Sequence, residues 1–170
     1  MQQFLDELGN PAYRHLLINH LPVIGLAAGA LALFLSLFLR SHVARMPALI
    51  VVLVMAASAI PVHITGEQAF KSVRYEADEA GADWLDLHSD RADRGMPAFY
   101  ALAALTIVAL VVPLKWPRTA LPFAILTLLG AMACIGVGGW ISQAGGPIMH
   151  IELRPAAPEP AGNAPLPESP

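Results

Sequence analysis

The stretch Arg14-His15-Leu16-Leu17-Ile18-Asn19-His20-Leu21-Pro22-Val23-Ile24-Gly25 decides how this chain is read. Two histidines, an asparagine and a proline stand at the mouth of an apolar run with no Asp, Glu, Lys or Arg as far as Leu39. About 20 apolar residues in a helix cross the hydrocarbon core of a bilayer. An imidazole at that depth is costly unless it has a partner, so it marks a functional position.

Working outward, three more runs have the same character. Counting from the first at about Tyr13–Leu39, the others are Met46–Thr65, Met96–Leu114 and about Ala120–Ser142. Only 14% of the chain is charged and 56% is hydrophobic, where a soluble domain carries roughly 25% charged residues. The expected fold is therefore all-α: a four-helix transmembrane bundle over residues 1–154, with a Pro-, Ala- and Glu-rich tail, 155–170, expected to be disordered. Pro22, Pro61 and Pro97 fall in or near the ends of the runs and predict kinks, which neighbouring helices tolerate. The polar, acidic segment Met1–Ala12 lacks a basic region and a small-residue cleavage site, so the first run reads as a span and not a removable leader. The lone Cys134 reads as a buried packing residue. A net charge of −3 argues against a nucleic-acid partner.

The connections give the orientation. Arg40–Arg45 and Lys115–Arg118 are short, basic and free of acids, and all 13 Asp and Glu lie elsewhere. Basic turns favour the cytoplasm, although Glu67–Asp93 also holds Lys71, Arg74 and Arg91, with Arg94 directly after it. Density of charge puts both termini outside, on the periplasmic face of a bacterial inner membrane. Lys71–Asp93 carries partly apolar helical stripes (Ala69, Phe70, Val73; then Trp84, Leu85, Leu87), predicting two helical extensions or short amphipathic helices with a turn near Ala80-Gly81. Gly25-x-x-x-Gly29 and Gly136-Val137-Gly138-Gly139 allow close helix approach or leave room for a flat cofactor. Trp116, Trp140, Tyr13 and Tyr100 read as interfacial anchors.

Of six histidines, five segregate to one end of the four spans: His15, His20, His63, His88 and His150; His42 alone is at the other. His20 lies roughly 10 Å along the helix beyond Tyr13, and His15 and His20 are about 140° apart around it. They cannot both face one centre, so a site should take one ligand per helix. Imidazole suits haem iron, copper and zinc, and bundle cofactors are held between facing helices. The expected site for a b-type haem draws on His20, His63, His88 and His150. The alternative is a copper, zinc or iron site on His15, His20, His88, His150, Glu67 and Glu152, with the carboxylates also able to fix imidazole tautomers. The plain alternative is that these histidines are interfacial and the chain is a non-catalytic membrane subunit of a larger complex. No Cys-x-x-Cys-His, phosphate loop or His-Glu-x-x-His is present.

Four pieces in order, His15-Leu16-Leu17-Ile18-Asn19-His20-Leu21-Pro22-Val23-Ile24-Gly25, Pro61-x-x-x-Thr65-Gly66-Glu67-x-Ala69, a histidine before the third span, and Gly145-Gly146-x-Ile148-x-His150-x-Glu152, resemble the DUF2231 group of small bacterial four-span membrane proteins. The resemblance covers most of Tyr13–Glu152 and implies a fold likened to b-type cytochromes. Its pattern maps onto His15, Asn19, His20, Thr65, Gly66, Glu67, His88, Gly146, His150 and Glu152, but not His63. Ser89 stands where a Glu often follows the third histidine, and Met149 where an Arg often precedes the last. The function of that group is uncharacterised, so the expected role rests on the five segregated histidines and the Gly-lined helices: an electron carrier exchanging electrons with a quinol or a periplasmic redox protein, more than a stand-alone enzyme.

Overall fold

Asn10 starts the first crossing: its side-chain oxygen accepts from the Ala12 N–H at 2.9 Å, and Pro11 occupies the first helical position, where no N–H is needed. The computed structural model describes residues 6–154; the tail expected to be disordered lies outside the described residues. Helix α1, Pro11–Ile18, leads into a π-helical turn, Leu21–Gly25, and then α2, Leu26–Phe38. Pro22 lies in that turn. It cannot donate to the preceding turn, and a wider turn absorbs the mismatch.

Arg40 reverses the chain with φ at 52°. Ser41 caps α3, His42–Ala57, through the Ala44 N–H at 3.2 Å. A break at Ser58 separates α3 from α4, Ala59–Glu76. Its cause is Pro61, which has no N–H for the Ala57 carbonyl four residues back. Asp78 then caps α5, Glu79–Lys115, by accepting from Gly81 N–H at 2.8 Å. At 37 residues α5 is roughly 55 Å long, well beyond a hydrocarbon core of about 30 Å. Its acidic first half therefore projects past the apolar layer. A short 3₁₀ turn, Pro117–Thr119, opens α6, Ala120–Gly145, and two more follow it, Gly146–Ile148 and Ile151–Leu153.

Every regular element among the described residues is helical, and four helical stretches are long and apolar enough to cross a membrane: Pro11–Phe38, Val43–Glu76, Glu79–Lys115 and Pro117–Ile148. This is the architecture of a multi-pass membrane protein. One expectation needs correction. The turn between spans two and three falls at Ala77-Asp78, not Ala80-Gly81, because Asp78 supplies the cap and Gly81 sits inside the first turn of α5. Helix α5 continues through Pro97, which lies inside it.

The bundle packs α5 on α6, α2 on α3, α3 on α5, and α1 on α4. Leu26 and Leu33 meet Val52, Phe99, Leu102 and a seam of small residues, Ala30, Ala56, Ala124 and Ala131, all buried. Small side chains let helices approach where lipid gives no hydrophobic drive to associate. Gly29 fits this reading, since a Cβ there would lie 3.2 Å from the Val52 backbone nitrogen. Cys134 is buried among them, as expected. Leu31, Phe38, Ile107, Val111, Leu129 and Met132 face outward, a distribution suited to acyl chains.

Candidate functional site

His15 sits near the end of α1 with its ring turned onto α4. Its Nδ1 lies 3.0 Å from the Val62 carbonyl. A carbonyl can only accept, so Nδ1 carries the proton and Nε2 keeps its lone pair. The Thr65 hydroxyl stands 3.4 Å from the same nitrogen and donates to the Pro61 carbonyl at 2.8 Å. Gly66 supplies the room: a Cβ there would lie 3.0 Å from His15 Cε1.

His88 repeats the arrangement on the other hairpin. Its Nδ1 is 3.0 Å from the Ile141 carbonyl of α6, and a Cβ on Gly145 would lie 3.2 Å from that nitrogen. Here too the geometry leaves Nε2 as the free lone pair. Arg91, one turn later on α5, fastens the same segment. Its guanidinium donates to the Trp140 carbonyl at 2.7 Å and to Gln143 Oε1 at 2.6 Å, and lies 5.0 Å over the Trp140 ring.

The remaining histidines are placed differently. His63 on α4 points Nε2 at two carboxylates, Glu67 at 3.4 Å and Asp93 at 3.9 Å. His20, at the head of the π turn, is exposed. His150 is exposed and bonds through Nδ1 to Glu152 Oε1 at 2.9 Å. The Glu152 backbone N–H and then His150 hold that carboxyl below its ordinary range.

The four residues expected as haem ligands, His20, His63, His88 and His150, thus have four different surroundings. The pair that shares one geometry is His15 and His88. Among the described residues, no three His, Cys, Asp or Glu side chains form a metal-holding group, so His15, His20, His88, His150, Glu67 and Glu152 do not meet as one cluster. Glu67 and Glu152 do partner imidazoles, but those of His63 and His150; backbone carbonyls hold the half-buried pair. Of the Gly136–Gly139 run, only Gly138 makes a close approach, to Val23 and Phe99, while Gly136 and Gly139 face open space.

Sequence reasoning missed the roles of Arg91 and Gly145. Arg91 and Gly145 act through contacts with partners more than 48 residues away, which local spacing does not reveal. Asn19, in the opening stretch, has a buried Oδ1 with no partner among the described residues. No family model, curated protein or solved structure matches the chain.

Proposed function

We propose that this chain is a membrane electron carrier that holds a b-type haem between His15 and His88, at the acid-rich end of the bundle. One observation supports the reading above others: two half-buried imidazoles on different helices, each with Nδ1 committed to a backbone carbonyl at 3.0 Å and Nε2 left free. Two such nitrogens would hold the iron of a haem, for which imidazole is a common ligand. The Nδ1–H donor fixes the tautomer and makes Nε2 a stronger ligand.

When bound, the haem supplies a one-electron couple. The chain's own residues do the rest. Val62 and Ile141 orient the two rings, Gly66 and Gly145 admit them to the helix surfaces, and Arg91 keeps α5 and α6 in register. The orphaned Asn19 Oδ1 offers an acceptor to a polar ligand beside α1. The charge-dense basic turns favour the cytoplasm, and this supports a site on the periplasmic face of a bacterial inner membrane, with a quinol or a periplasmic redox protein as electron partner.

The test is a reduced-minus-oxidised spectrum of the full chain purified in mild detergent after expression with ample haem. The expected result is a b-type α-band that His15→Ala and His88→Ala each abolish and His20→Ala and His150→Ala leave in place. Wild type without the band, or a band that survives both H15A and H88A, overturns the reading.

A further inference from the structure

At the opposite end of the bundle, Leu37, Arg40, Arg45, Pro117, Arg118, Ala120 and Leu121 line an open cleft of about 460 Å³. Arg45 is only 7% exposed, and its Nε is buried without a hydrogen-bond partner among the described residues. A buried guanidinium with an unmet donor is expensive. Relief cannot come from nearby chain, because there is no Asp or Glu between Glu7 and Glu67 or between Asp93 and Glu152. None of the three arginines takes part in an ion pair among the described residues. The helices α3 and α6 both begin here, adding the positive ends of two helix dipoles. The anion this cleft calls for has to come from outside the protein.

We infer that this cleft binds the phosphate headgroup of an anionic phospholipid, with Arg45, Arg40 and Arg118 on the phosphate and Leu37 and Leu121 beside the acyl chains. Phosphate matches the forked donors of guanidinium, which bind it through paired N–H groups. The apolar wall and the position favour a lipid over a free ion. Trp116, next in sequence to Pro117 of the cleft, is 55% exposed, with the Lys115 ammonium 5.0 Å over its ring. That pairing of ring and cation belongs at the headgroup level of a bilayer, where basic pockets between spans collect acidic lipids. The site is remote from the histidine pair and does not depend on any haem.

The test uses the full chain in mild detergent and follows its thermal unfolding midpoint with added phosphatidylglycerol, phosphatidylcholine or inorganic phosphate. A ligand that binds only the folded state raises the midpoint. Phosphatidylglycerol should raise it by at least about twice the shift given by phosphatidylcholine, and millimolar inorganic phosphate should leave it unchanged. Arg45→Gln and Arg118→Gln should each reduce the phosphatidylglycerol shift to the phosphatidylcholine level. Arg40→Gly guards against simple misfolding, because it removes a charge while relieving a left-handed backbone: its unliganded midpoint should not fall, yet its lipid response should. Equal shifts with both lipids, or a full shift in all three variants, overturns the proposal. A shift reproduced by inorganic phosphate alone overturns the lipid assignment.

Discussion

Arg154 grips Asp78 by two parallel hydrogen bonds of 2.7 Å, Nη1 to Oδ2 and Nη2 to Oδ1. The same guanidinium donates to the Pro147 carbonyl at 2.9 Å and the Ile148 carbonyl at 3.1 Å. One side chain therefore ties the turns after α6 to the residue that caps α5. This clip braces the α5–α6 hairpin on which His88 is held. Arg154, with help from the Gly81 N–H, lowers the Asp78 carboxyl to about 2.

The clip predicts a pH dependence. A carboxylate whose folded value is depressed adds stability above its unfolded value, about 3.9, and loses it as pH falls through the folded one. Comparing thermal midpoints of wild type and Asp78→Asn from neutral pH downward should show wild type ahead until about pH 4. The gap should then close toward pH 2, the value set by the Arg154 contact. A gap that stays constant across that window would mean the ion pair is not its source.

Gly81 makes a sharper mutational prediction. A Cβ there would collide with the Ile148 carbonyl, and it would also lie 2.8 Å from Asp78 Oδ1 and 2.9 Å from Arg154 Nη2. The obstructing group is backbone in a turn already pinned by Arg154, so it has little freedom to move. Gly81→Ala should cost about 1–3 kcal/mol, the usual range for overpacking. Gly136→Ala is the control: nothing lies within 4 Å of its added Cβ, and alanine is the better helix former by up to about 1 kcal/mol. Unfolding in detergent should separate the two; equal behaviour would remove the steric account of Gly81.

The same residue shows what sequence could and could not convey. Four apolar runs of spanning length announce themselves, because lipid forbids charge and demands helices regardless of packing detail. Pro61 and the Thr65-Gly66 pair were likewise legible as features near one end of span two. Ala80-Gly81, however, resembles a chain breaker, whereas Gly81 is small because residue 148 passes over it. The 140° separation of His15 and His20 correctly implied that only one could face inward; depth pointed to His20, yet His15 is the one turned onto α4. The partners of His15 and His88 are carbonyls, which every residue possesses, so no side-chain pattern foretells them. Arg45 looked like part of a basic turn and is instead buried.

Arg40 gives a third prediction. It is the one non-glycine described residue with positive φ, at 52°, a conformation that costs an L-residue roughly 1–2 kcal/mol. Arg40→Gly should therefore stabilise the unliganded protein by about 1 kcal/mol, somewhat less than the full strain because glycine loses more freedom on folding. Denaturant titration in lipid-free detergent measures this. A variant less stable than wild type would show that the arginine's contacts outweigh its backbone strain.

The last prediction concerns two threonines that look alike in sequence. Thr106 and Thr127 are both fully buried in the bundle. The Thr106 hydroxyl donates to the Leu102 carbonyl at 2.7 Å, whereas Thr127 Oγ1 has no partner among the described residues. An unpaired buried hydroxyl costs about 1–3 kcal/mol. Thr127→Val replaces that hydroxyl by a methyl of similar volume and should stabilise by about 1 kcal/mol. Thr106→Val removes a made hydrogen bond while freeing a carbonyl that already serves its helix, so it should be neutral to mildly destabilising. Thermal midpoints of the two variants, measured side by side, should move apart with T127V above wild type. A fall in T127V would show that its hydroxyl is satisfied in the membrane after all.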